Sequence, residues 1–150
     1  MTEAAEAENS HSPPALRSVA MSGDYADTAL RDVDHMAALR GAFGIFDRWN
    51  VPARLQRILL GNPAERTFFN WKAGKGRHVP SDTLRRIGYL AGIQKALTLL
   101  YSNAEQRYGW LERENRAFGG QTPMARMAAG DMTDLAAIRS YLDNARSPWS

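Results

Sequence analysis

The chain has 150 residues, 44% of them apolar, no cysteine, and a formal net charge of +3. That length holds one domain, or one domain with a small appendage. Disulfides and thiolate metal sites are excluded by the absence of cysteine. The longest apolar runs, such as Leu97-Thr98-Leu99-Leu100, fall far short of the ~20 residues of a membrane helix. The start, MTEAAEAENSHSPP, is acidic and lacks the basic-then-apolar layout of a signal peptide. The expectation is a soluble, cytoplasmic protein with no membrane association.

Charge is distributed unevenly. Residues 1–36 hold two arginines against seven carboxylates, residues 37–101 hold eleven Lys/Arg against three carboxylates, and residues 102–150 hold six of each. A basic middle between an acidic arm and a neutral end points to a polyanionic partner for the middle alone, or else to a solvated basic surface.

In chain order, residues 1–28 are rich in Ala, Glu, Ser and Pro and poor in large apolar side chains, which predicts an acidic arm without a packed core. From Thr28, apolar residues recur every three to four positions (Leu30, Val33, Met36, Leu39, Phe43, Phe46), an amphipathic helix pattern. Gly41 and Gly44 weaken it, so one kinked helix and two shorter ones are both open. Asn50-Val51-Pro52 ends that segment, and "PARLQRILLGN" follows as a helix closed by Gly61. "AERTFFNWKAGKG" then reads as another short helix, closed by Gly74. Two short helices flanking Gly61-Asn62-Pro63 have the layout of a helix-turn-helix. Pro80, Ser81 and Asp82 open a long helix with an apolar stripe of Leu84, Ile87, Leu90/Ala91, Leu97 and Leu100. Beyond Ser102 come a Gly119-Gly120 turn, a helix with Thr122 as N-cap and Pro123 in its first position, and a last helix capped by Asp131 with Leu135, Ile138 and Leu142 aligned. No stretch alternates with period two, so the predicted class is all-α.

If the second short helix enters a major groove, its N-terminal half faces the bases. Arg66, Thr67 and Asn70 are then the candidate base-facing residues, Asn suiting adenine and Arg guanine. Lys72, Lys75, Arg77 and His78 are candidates for phosphate contacts. Phe68 and Trp71 would pack inward, and Glu65 is the one carboxylate in the wrong place for a polyanion. Many helix pairs of this kind bind only protein, so spacing alone leaves both readings open. Catalysis finds little support: His11, His35 and His78 form no plausible triad, and the Gly-rich 73–76 lacks the Walker spacing. Asp131 and Asp134 suit a helix cap better than an acid/base pair. No catalytic residue, metal or cofactor is expected.

The C-terminal third carries the most specific signal. Trp110-Leu111, Asn115, Ala117-Phe118-Gly119-Gly120, Thr122-Pro123, Gly130-Asp131, Ile138 and Tyr141-Leu142 together resemble the toxin-binding domain of the Xre/MbcA/ParS antitoxin family. Residues 40–101 resemble, more loosely, the Xre-type helix-turn-helix that family members carry, with "TFFNWKAGK" in the recognition-helix position. The family often has proline before the motif asparagine, where this chain has Glu114, a change that loosens the turn.

The resemblance implies a type II antitoxin that is not an enzyme. It would comprise an arm (1–28), a helix-turn-helix and dimerisation domain (29–102), and a toxin-binding domain with a C-terminal tail (103–150). The implied partners are a RES-domain toxin that acts on NAD, operator DNA, and a second copy of the chain. Implied toxin-binding residues are Trp110, Asn115, Phe118, Gly119, Gly120, Thr122, Pro123, Arg139, Arg146 and Trp149. Arg146 can pair with carboxylates or stack on rings. Trp149, after Pro148, offers a rigid aromatic surface that enters the toxin's pocket or packs on its own domain. The other reading is a stand-alone transcriptional regulator whose C-terminal domain only dimerises.

Overall fold

A computed structural model of the chain describes residues 34–146. The expected arm, 1–28, and the tail residues Pro148 and Trp149 lie outside them. Among the described residues the structure is entirely helical, with seven α-helices, one short 3-10 turn and no strand.

Helix α1 spans His35–Trp49 and buries Leu39, Ala42, Ile45, Phe46 and Trp49. The three-to-four-residue spacing puts these on one stripe. The helix runs unbroken through Gly41 and Gly44, because packing of that stripe outweighs the roughly 1 kcal/mol each glycine costs in a helix interior. Asn50, with φ of 58°, ends it: Asn50 N–H returns to Asp47 O, and Val51 N–H to Phe46 O. This is the paired hydrogen-bond pattern of a Schellman cap.

Helices α2 (Ala53–Leu59) and α3 (Glu65–Lys72) follow. α2 ends in the same type of cap, with Gly61 N–H to Ile58 O and Asn62 N–H to Arg57 O. Gly61 is needed twice over. Its φ is +101°, and a Cβ there would lie 3.0 Å from Asp82 Oδ2. The turn is further held by Arg57 Nε donating to Pro63 O (2.6 Å) and Thr83 Oγ1 donating to Leu60 O (2.8 Å).

Helix α4 (Ser81–Leu100) is the central element, with α1 packed along one side and the C-terminal helix along another. Because it is covered on more than one side, its buried set is broader than a single stripe. It includes Thr83, Arg86, Ile93 and Ala96 beside Leu84, Ile87, Leu90 and Leu97. Ala91, expected in the stripe, is exposed, and Leu100 is half-buried. The join to its neighbours includes a polar chain: Trp49 Nε1 donates to Gln94 Oε1 (2.8 Å), and Gln94 Nε2 donates to Tyr108 O–H (3.3 Å).

Tyr108 belongs to α5 (Ala104–Leu111), a helix the apolar periodicity does not reveal. Asn103 caps it by accepting from Gln106 N–H at 2.8 Å. The 3-10 turn Arg116–Phe118, α6 (Pro123–Met127) and α7 (Met132–Arg146) complete the fold. α7 packs against α4 and α6 through Leu135, Ile138 and Leu142. No helix among the described residues is long and apolar enough to cross a membrane.

Candidate functional site

Two surfaces collect the residues singled out in the sequence. The first is α2–turn–α3 with the loop after it. Phe68 and Trp71 are buried as expected. Phe68 meets Phe43 of α1 edge to face at 5.9 Å, which fixes the roll of α3 about its axis. That roll leaves Arg66, Phe69, Asn70 and Ala73 exposed. At 3.6 residues per turn these four share an arc of about 100°. The side chains of Arg66 and Asn70 are not tied by hydrogen bonds or ion pairs to other described residues, so their donors face outward.

Thr67 departs from the expectation. It sits about 100° round the helix from Arg66 and is half-buried. There it lines an open cleft of about 380 Å³ with Trp71, His78 and Asp82. It flanks the arc on its Asn70 side and is half-buried, whereas Phe69 on the other flank is exposed. Lys72 leans back over α1 and α3, its Nζ 5.6 Å from the Phe68 ring centroid and 6.0 Å from that of Phe43. Lys75 and Arg77 are exposed in the following loop. That loop is anchored where Val79 N–H donates to His35 Nδ1 at 2.9 Å and the His35 and His78 rings meet at 5.7 Å. Glu65 lies in the first turn of α3, where the helix dipole favours a carboxylate.

The second surface is built after residue 102. Trp110 stacks on Tyr141 (5.9 Å between centroids, 21° between planes), and Phe118 sets its edge against both rings. Trp110, Phe118 and Pro123 are buried. Asn115 closes the turn: its side chain accepts from Ala117 N–H, its N–H donates to Gln121 O, and its own carbonyl accepts from Gly120 N–H. The turn is therefore closed by Asn115 itself, with Glu114 in the preceding position. Gly119 and Gly120 both have positive φ, so the chain reverses there and its backbone is exposed. Thr122 Oγ1 accepts from Ala125 N–H at 2.9 Å, with Pro123 in the first turn, as expected.

The cap of α7 works differently from the expectation. The interaction runs from Asp131 N–H to Asp134 Oδ2 (3.1 Å), while Asp134 Oδ1 also accepts from Arg126 Nε (2.8 Å). Asp134 thus supplies the reach-back half of a capping box and joins α6 to α7.

Most of the implied toxin-binding residues therefore shape this domain. The interior holds Trp110, Phe118 and Pro123, while Asn115 and Thr122 spend their side chains on backbone groups. The exposed rim consists of Arg116, Ala117, Gly119, Gly120 and Gln121, with Tyr141 partly exposed beside it. Arg139 crosses α4: a Cβ on Gly92 would lie 2.5 Å from its Cζ, and its Nε is 3.5 Å from Asp143 Oδ2. Arg146 pairs with the other oxygen of Asp143 at 3.3 Å. Trp149 lies outside the described residues.

Arg86 connects the two surfaces, and residue types alone do not mark it. It is 8% exposed. Its Nε donates to Asp82 Oδ2 and its Nη1 to Gly130 O, both at 2.9 Å. The i,i+4 spacing of Asp82 and Arg86 hints at the ion pair, but nothing local predicts the bond to Gly130.

Residues 96–147 match the family model described as the antitoxin Xre/MbcA/ParS C-terminal toxin-binding domain. The match begins inside α4 and covers the whole aromatic cluster and α7. The chain is also 38% identical over 110 residues to an uncharacterized protein, y4oB, of Sinorhizobium fredii (strain NBRC 101917 / NGR234). That alignment takes in 73% of this chain and 84% of the relative. No solved structure matches the chain. The sequence motif, the helices that realise it and the family match agree: residues 96–147 form a domain of the Xre/MbcA/ParS antitoxin C-terminal toxin-binding family.

Proposed function

We propose that the protein is a type II antitoxin that neutralises a RES-domain, NAD-consuming toxin and represses its own operon through α2 and α3. The match of residues 96–147 to the toxin-binding domain carries this reading. The toxin meets the rim around Gly119 and Gly120, where no side chain stands between the exposed turn and a partner. The tail after Arg146 enters the toxin's NAD pocket. Arg146 suits a site made for phosphates and carboxylates, and Trp149 suits one made for an aromatic base. Two chains associate, as the family resemblance implies.

The repressor half is supported by the charge of residues 37–101, eleven cationic side chains against three carboxylates, and by the outward face of α3. Such a basic surface collects phosphates by releasing counterions. A stand-alone regulator would share this half and lack the toxin.

The test is co-expression with the RES-domain toxin encoded beside the gene, with growth and cellular NAD as readouts. Full-length protein is expected to restore both. A chain ending at Arg146 is expected to bind the toxin yet neutralise it poorly. Equal neutralisation by the shortened chain removes the tail from the mechanism. Failure of the full chain to bind any such toxin favours the stand-alone regulator.

A further inference from the structure

Among the described residues only three large hydrophobic side chains are well exposed: Phe69 at 52%, Leu99 at 58% and Tyr141 at 37%. Tyr141 belongs to the aromatic cluster after residue 102. Phe69 is not buried with Phe68 and Trp71, through which α3 packs, and its only ring contact among the described residues is with Phe68 beside it. Its contact with Phe68 leaves half of the ring in solvent.

We infer that Phe69 is a base-reading residue, its ring seated against the 5-methyl group of a thymine in the major groove of the operator. The inference rests on the repressor half of the proposed function and deepens it. Three observations support it. Phe69 shares its arc of α3 with Arg66 and Asn70, whose donors are unspent. Its ring is held, meeting Phe68 edge to face at 5.1 Å, and Phe68 is itself held by Phe43 and Lys72. Little side-chain freedom is therefore left to lose on binding. Exposed Arg66 and Lys72 lie on the same helix and exposed Lys75 and Arg77 follow in the next loop, a basic neighbourhood that favours an anionic occupant. A second copy of the chain would bring the same cations against these and be repelled. At the base edges of the major groove, the apolar feature is the thymine methyl.

The test uses full-length protein and a duplex from upstream of its own gene, the binding site located by footprinting. Each thymine of the site is replaced in turn by deoxyuridine, which deletes only the methyl. For the wild type, one replacement is expected to weaken binding about fourfold, the size expected for one methyl group. For Phe69→Ala, that same replacement should have no effect, while Arg66→Ala should keep it. Phe69→Ala should retain wild-type secondary structure, because its ring is half in solvent.

Three results overturn the inference and leave the repressor reading intact. The first is equal binding of thymine and deoxyuridine duplexes by the wild type at every position. The second is continued discrimination between them by Phe69→Ala. The third is a change of oligomeric state alone on that substitution, with DNA affinity preserved. If the folded wild type binds no duplex from that region even at low salt, the repressor reading itself fails and takes this inference with it.

Discussion

Arg86 Nη1 donates to the carbonyl oxygen of Gly130 at 2.9 Å, joining the first half of α4 to the loop between α6 and α7 across 44 positions of sequence. The guanidinium is nearly buried, and Asp82 is its ion-pair partner at 2.9 Å. Removing it would leave the Gly130 carbonyl without this donor and Asp82 without its cation. Arg86→Met should therefore cost about 2 kcal/mol, within the range of hydrogen bonds to charged groups. Arg86→Lys should cost less but not be neutral, since an ammonium cannot span both acceptors as the planar fork does. Urea denaturation of the three proteins checks both values. Because Arg86 ties the first half of α4 to Gly130 in the toxin-binding domain, Arg86→Met should also weaken toxin binding and, on the proposed function, DNA binding with it.

Two glycines should respond with opposite sign to the same change. Gly61→Ala places a Cβ in a left-handed conformation and 3.0 Å from Asp82 Oδ2, at a cost of about 1–2 kcal/mol from the backbone alone. Gly41 is exposed in the middle of α1 with nothing within 4 Å of a built Cβ. There, alanine should stabilise by about 0.5–1 kcal/mol, because the unfolded chain loses freedom and nothing clashes. Thermal and urea unfolding of each variant measure the pair.

Trp110 is buried against Phe118 and Tyr141. Trp110→Ala should cost about 3–5 kcal/mol, the usual price of emptying a large aromatic site. Trp110→Phe should recover more than half of that by refilling part of the volume. Denaturant midpoints give the energies. Toxin affinity measured by calorimetry should fall in the same order, because the exposed Gly119-Gly120 turn is held in place by Phe118.

The basic loop should behave as a phosphate contact and α3 as a base contact. Lys75→Gln is expected to weaken DNA binding similarly on all sequences and to lower the slope of log affinity against log salt by about 1. Arg66→Ala with Asn70→Ala should mainly erase the preference for operator over unrelated DNA. Fluorescence anisotropy at several salt concentrations separates the two. Unchanged affinity and slope in all variants would remove α3 from the DNA interface.

Much of the fold was legible because its signals are local. Gly61 and Gly74 mark helix ends through their backbone freedom, and Thr122-Pro123 starts a helix through one side-chain acceptor and one pre-set dihedral. α5 was not legible: Tyr108, Trp110 and Leu111 are too few to show a period, and its cap, Asn103, looks like any loop residue. The candidate site divided in the same way. Arg66 and Asn70 share one exposed face, since helical spacing alone relates them to each other. Thr67 turns partly into the cleft beside that face, because the roll of α3 is set by Phe68 against Phe43, a contact between residues 25 positions apart.

By itself, then, the sequence determined the helical class, the helix ends, the basic middle and the family motif of the C-terminal third. These depend on residue type and short spacing. Tertiary structure alone decided which motif residues are interior, that Arg139 lies across Gly92, that Phe69 stays in solvent, and that Arg86 reaches Gly130. Each of those outcomes depends on how one helix rolls and crosses against another. That choice is made by the summed packing of many side chains, which no single stretch of sequence contains.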